Sequence, residues 1–397
     1  MKKTLLKTVA TALVLSIVLS ANMFLISAFA DEVLQSDEVP EGYIGIYDAY
    51  DLSDIRKDLD GKYILMNNIE IWQPDWNPIG TSEEPFTGIF DGNNKIIRNL
   101  NCDLEASYAK NCFGLFAYTS NATISNLYLK DVDISLKYST NEPIIVGSIA
   151  GYADRTSFKN CIVNGSVEVS GATSGNVGGF AGKLNICPLI NVTNGVDVSV
   201  STTNRLNTFS IGGIAGEAKG GTFNQCSNNG DVFASGFNSS DTMRYVHIGG
   251  IAGDTADSAN QILNCYNNGN IGIDFSTPAT CVGGIIGDCW YVKNCYNSGN
   301  VTVPEGFGGC VGAIAGDFNT EVTGNGVMPR IENVYYTNDG LYTSFICSNP
   351  PADDTAYINA KKLTAEEFKD TNSFSRRNLS RGFSAKVTNC SIIALAP

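Results

Sequence analysis

The residues that could do chemistry are few. The chain of 397 residues contains a single histidine, His247. One histidine excludes an HExxH zinc site, which needs two a helical turn apart plus a glutamate. It also excludes Ser-His-Asp and Cys-His catalysis unless His247 itself serves. His247 stands just before a glycine-rich phrase, and the matching positions beside other copies hold Ile145, Asn176, Ser210, Cys281 and Cys310. A position that changes so freely reads as a surface slot, not a catalytic base. No catalytic residue and no organic cofactor is therefore assigned.

Acidic residues offer a second possibility. After each glycine phrase come, in chain order, Tyr152, Lys183, Glu217, Asp254, Asp288 and Asp317. If each repeat is one coil of a stack, Asp254, Asp288 and Asp317 lie at intervals of about 4.8 Å. Like charges so close raise one another's pKa or recruit a cation. Their oxygens could hold Ca²⁺ weakly, with water completing a shell of about six to eight ligands. The competing reading is that each aspartate accepts backbone N–H groups in its own turn and meets no metal.

Twelve cysteines suggest disulfides if the chain is exported. Cys161, Cys226, Cys265 and Cys295, however, share a repeat position with Leu127, Val192 and Val334, and so read as small buried apolar groups. Cys102 and Cys112 are the pair expected to bridge, with Cys281 and Cys310 as a second pair. No Cys-x-x-Cys occurs to suggest a thiolate zinc site. Some β-helix enzymes cleave acidic polysaccharides with clustered carboxylates beside a basic side chain. Arg330, Arg376, Arg377 and Arg381 are present, but none recurs in register with an aspartate pair, and Asp353-Asp354 reads as a solvated loop.

What must position these residues is a repeat. The phrases VGSIAG, VGGFAG, IGGIAG, IGGIAG, VGGIIG and VGAIAG begin at residues 146, 177, 211, 248, 282 and 311, a period of about 33. Between them runs an asparagine phrase, as in Phe158-Lys-Asn160-Cys161 and Ile262-Leu-Asn264-Cys265. Its first and fourth positions are both apolar but have opposite parity, so a plain strand cannot bury both. A bend at the third position resolves the conflict. Asparagine tolerates the left-handed backbone that a corner needs, and stacked coils would align the amides into a ladder. Short strands between glycine and asparagine corners predict an all-β chain. The expected architecture is a parallel β-helix (β-solenoid) of about seven coils with a short N-terminal helical cap.

The remaining segments follow from composition. Lys2, Lys3 and Lys7, the uncharged run Thr8 to Phe29 and the site Ala28-Phe29-Ala30 predict a signal peptide over 1–30. Residues 31–110 read as an acidic tether, a cap helix over Asp48 to Leu59, and the first strands. Residues 111–340 are the repeats, and 341–397 a tail with a short helix. The net charge of −14 becomes −17 once the three lysines leave (−14 − 3). That disfavours nucleic acid and anionic membranes as partners. No membrane span is expected after removal of the signal.

The glycine and asparagine phrases resemble the GLUG motif of bacterial exported proteins. Tyr63-Ile-Leu, Trp76-Asn-Pro-Ile-Gly80 and Phe86-Thr-Gly-Ile-Phe-Asp-Gly92 resemble the segment that precedes such repeats, and the likeness runs from about residue 45 to 340. Leu363-Thr-Ala-Glu-Glu-Phe368 resembles the family's closing helix, whereas 387–397 do not resemble its closing strand. The resemblance implies a secreted or surface-associated β-solenoid. Some carriers are joined to IgA-specific metallopeptidases, whose peptidase site is absent here. The expected function is a non-catalytic binding, adhesion or structural module at or near the bacterial surface, with a glycan or protein as ligand. The alternative is a polysaccharide lyase or hydrolase on the same scaffold.

Overall fold

Each glycine phrase forms a corner. Two residues end one strand, two begin the next, and the pair between them turns; in the copy at 248–253 the strands are Val246–Gly249 and Ala252–Asp254. The computed structural model describes residues 38–105, 111–138, 142–202, 208–236, 245–255, 260–318, 330–337 and 358–364. The predicted signal peptide, Asp353-Asp354, Arg376, Arg377, Arg381, residues 387–397 and most of the predicted closing helix lie outside them.

The corners stack in the register expected from the phrases. Val146, Val177, Ile211, Ile248, Val282 and Val311 pair in turn down one parallel sheet. Ala150, Ala181, Ala215, Ala252, Ile286 and Ala315 pair down the next. Both sheets have seven strands, and the rest of every coil joins a third sheet that is also parallel. The fold is the predicted β-solenoid.

The asparagine corners are as expected. Asn126, Asn160, Asn191, Gln225, Asn264, Asn294 and Asn333 have φ between 51° and 58°, in the left-handed region. Phe158 and Cys161, on either side of one such residue, are both fully buried. The amides bond from coil to coil: Asn160 donates to Asn126, Asn191 to Asn160, and Asn294 to Asn264, each at 3.0 Å. Gln225 interrupts the pattern, and there Asn264 donates to Asn224 instead, at 2.9 Å.

A second ladder lies deeper. Asn194 donates to Asn228, Asn228 to Asn267 and Asn267 to Asn297 at 2.7, 2.7 and 2.8 Å. All four are fully buried. Each also donates to a carbonyl two residues on, as Asn267 does to Gly269. This ladder explains the doubled glycine. A Cβ on Gly250 would lie 2.3 Å from Asn267 Cγ, and one on Gly284 would lie 2.2 Å from Asn297 Nδ2. Where the second glycine becomes Ser148 or Ala313, the ladder position is Val163 or Tyr336. Glycine and asparagine change together from coil to coil because they share one space.

The stack begins before the first full glycine phrase. Ile44–Ile46, Lys62–Leu65, Ile89–Asp91 and Thr123–Ser125 pair successively. The helix is shorter than predicted, Ala49–Asp54 followed by a 3-10 turn, Ile55–Lys57. Asp48 caps it by accepting the N–H groups of Tyr50 and Asp51, while Leu52 and Ile55 face the core. At the other end Ile358–Lys362 pairs with Arg330–Tyr336, so pairing continues beyond residue 340. The described residues from Tyr43 onward belong to one compact unit. Among the described residues no helix is long and apolar enough to cross a membrane.

Candidate metal centre

Two columns of side chains run beside the glycine corners. On one sheet His247 pairs with Cys281, which pairs with Cys310. On the next, Asp254 pairs with Asp288, which pairs with Asp317. The three aspartates therefore stack in the predicted register. The corner between the columns is tight: a Cβ on Gly253 would lie 2.7 Å from the His247 carbonyl, and one on Gly287 would lie 2.5 Å from the Ile248 nitrogen. The two legs of the phrase thus run close together, which sets the residue before the phrase beside the residue after it.

That juxtaposition corrects the reading of His247. It does not fill a surface slot but is only 8% exposed. The outward face of its strand is covered by the neighbouring sheet, which the sequence alone treats as solvent. Its Nδ1 lies 3.2 Å from Asp254 Oδ2. This is an ion-pair contact; by strict hydrogen-bond geometry Nδ1 and the buried Asp254 Oδ1 are left without a partner. One nitrogen or oxygen from each of His247, Asp254 and Asp288 lies within 4.8 Å of the others. One coil on, Cys281, Cys310 and Asp317 form a similar group.

Electrostatics distinguish these aspartates from the acid before them. Glu217 is paired with Lys183 at 2.9 Å. Burial pushes Asp288 up to about 6, opposed by His247 and reinforced by Asp254 and Asp317; the Cys289 N–H also favours its charged form. For His247 burial favours the neutral ring, but the bond-distance approach of Asp254 and the charges of Asp254, Asp288 and Asp317 outweigh it, so its pKa is raised. Backbone N–H groups thus serve Asp288 in part and leave Asp254 Oδ1 unserved.

The expected disulfides are not formed. Cys102 lies on Asn101–Glu105 of one sheet and Cys112 on Cys112–Phe113 of another, each as a buried thiol. Cys112 Sγ donates instead to the Ala117 carbonyl at 3.0 Å. Cys281 and Cys310 sit opposite one another on parallel strands without a bridge. Cys161, Cys226, Cys265 and Cys295 fill the core as expected.

The sequence lists the aspartate column but misses the histidine that joins it. The signal was present: the residues before and after a six-residue phrase become neighbours once that phrase is read as a reversal.

No family model matches the sequence, and no curated protein sequence matches it. Solved structures are similar to this chain. One is a candidate immunoglobulin A1 protease from Bacteroides ovatus, 19% identical over 84% of this chain and 88% of that one, with a TM-score of 0.46. Another is an IgA1 protease, 17% identical over 87% of this chain, with a TM-score of 0.56. This chain spans only 25% of the length of the second. At such identities the likeness is one of fold.

Proposed function

We propose that the protein is an exported, GLUG-type β-solenoid that acts as a non-catalytic binding module at or near the bacterial surface, with a glycan as ligand. The observation that carries this reading is an aromatic pair on the N-terminal cap. Tyr50 and Trp72 are 63% and 60% exposed, and their ring centroids are 5.5 Å apart. Exposed aromatic rings of this kind suit stacking against the apolar faces of sugars, and they are unusual where no partner is bound. Tyr47 and Ile44, on the same end of the chain, are also exposed. The other two tryptophans, Trp76 and Trp290, are buried.

Other features support the reading. The basic and then apolar opening of the chain suits export, and the glycine phrases resemble the GLUG pattern. The lone histidine lies in a buried cluster, and the thiol beside it, Cys281, is buried as well. The structural neighbour named as an IgA1 protease is four times longer than the matched span, which suits an accessory role for this fold. The experiment is to incubate the purified chain with a panel of bacterial polysaccharides and mucin-type glycans, measuring both co-sedimentation and release of reducing ends. Retention without release is expected. Chain cleavage that co-purifies with the protein through stringent fractionation would overturn the non-catalytic reading.

A further inference from the structure

We propose that His247, Asp254 and Asp288 form a site for one divalent transition-metal ion of the zinc class. Three independent features point to it. The first is unsatisfied bonding capacity: the His247 side chain is about nine-tenths buried, and its Nδ1, though 3.2 Å from Asp254 Oδ2, makes no well-formed hydrogen bond, nor does the buried Asp254 Oδ1. Buried polar atoms of a native fold are almost always bonded, so two left unbonded in one cluster point to something that bonds both.

The second is spacing. A tetrahedral zinc ion about 2.0–2.1 Å from nitrogen and oxygen ligands holds them about 3.3 Å apart. His247 Nδ1 and Asp254 Oδ2 are 3.2 Å apart, and the Asp288 carboxylate is within 4.8 Å of both. A metal ion there would draw the Asp288 carboxylate inward to close the triangle, with water in the fourth position. The third is charge. Two carboxylates balance a divalent ion, and Asp254 and Asp288 are register neighbours on adjacent coils. Binding the ion with neutral imidazole removes the repulsion between stacked aspartates that burial aggravates.

The donor set also decides the metal. Calcium takes about six to eight oxygens and does not use imidazole. Imidazole with carboxylates suits zinc and its neighbours in the first transition row. The aspartate column is therefore a zinc-class site in which Asp317 is an outer neighbour, and not the oxygen-only calcium site that the sequence suggests.

The test uses the full, tag-free chain, stripped with chelator and then given ZnCl₂ or CaCl₂ alone. Because His247 is the only histidine, ¹⁵N-histidine labelling reports one imidazole without any substitution. Zinc should shift its Nδ1 resonance at one molar equivalent and raise Tm, while millimolar calcium should do neither. Asp288→Asn and His247→Gln should weaken zinc binding at least tenfold while keeping the far-ultraviolet spectrum of the apo protein. Co²⁺ in place of Zn²⁺ should give no strong thiolate charge-transfer band. An Nδ1 resonance indifferent to zinc would overturn the assignment, even if both variants failed to fold. So would zinc binding unchanged in a folded Asp288→Asn variant, an equal response to calcium, or a thiolate band placing the metal on Cys281 and Cys310.

Discussion

Each corner asparagine does two things with one side chain. Asn264 adopts φ of 54°, donates to Asn224 and accepts from Asn294. Alanine there removes both side-chain bonds and tolerates the left-handed backbone less well than asparagine does. Each loss costs about 1 kcal/mol, so Asn264→Ala should destabilise by about 1–3 kcal/mol. Asn164, which lies on a strand and donates to the Tyr128 hydroxyl, should cost less when replaced by alanine. Urea melts of the two variants check this, and equal midpoints would reject the ladder. The cysteines make a second residue-scale prediction. Burial pushes the Cys102, Cys112, Cys161 and Cys187 thiols up to about 12. Since the thiolate is the reactive form, these four should stay unlabelled by Ellman's reagent in the native protein, with half-buried Cys310 reacting ahead of them. Rapid native labelling of any of the four, followed by peptide mapping, would contradict their placement.

At the scale of elements, the buried ladder and the glycine corner are one unit. The ladder starts at Asn194, whose Oδ1 is buried and unbonded, and the coil before it carries Val163 and Ser148, the latter also with an unbonded hydroxyl. Val163→Asn alone should destabilise, because Ser148 occupies the space that Gly179 leaves open beside Asn194. Adding Ser148→Gly should recover stability, because the new amide can then donate to Asn194 Oδ1. The double-mutant cycle should give a coupling of about 0.5–3 kcal/mol, and strictly additive effects would show that the two positions do not share a space. Much of this scale is legible in sequence. The parity conflict in the asparagine phrase dictates a left-handed corner, and the phrase spacing dictates which residues pair. Two things are not legible. Asn228, Asn267 and Asn297 sit just before Asn-Gly or Ser-Gly pairs and Asn194 is itself part of one, so turn chemistry accounts for them locally and nothing local announces their burial. The contact of His247 with Asp254 depends on two sheets packing outward face to outward face, and no periodicity within one strand encodes that.

For the whole molecule, a parallel stack has two ends, and each would expose strand edges and core if left bare. The N-terminal end carries a capped helix whose Leu52 and Ile55 turn inward, and the same region presents Tyr50 and Trp72 outward. Covering an end needs apolar groups on one side only, so outward aromatic rings are not explained by capping. The negative charge of the chain disfavours nucleic acid and acidic lipid, which supports the proposal of uncharged sugars as partners. The most direct test of the account is the affinity of Trp72→Ala for the glycan that the wild-type protein retains, measured by titration calorimetry. Trp72 is exposed, so Tm should not change, while Kd should rise at least tenfold, which corresponds to about 1.4 kcal/mol. A Kd equal to that of the wild type, in a variant with the same Tm, would contradict the claim that the aromatic cap is the binding surface.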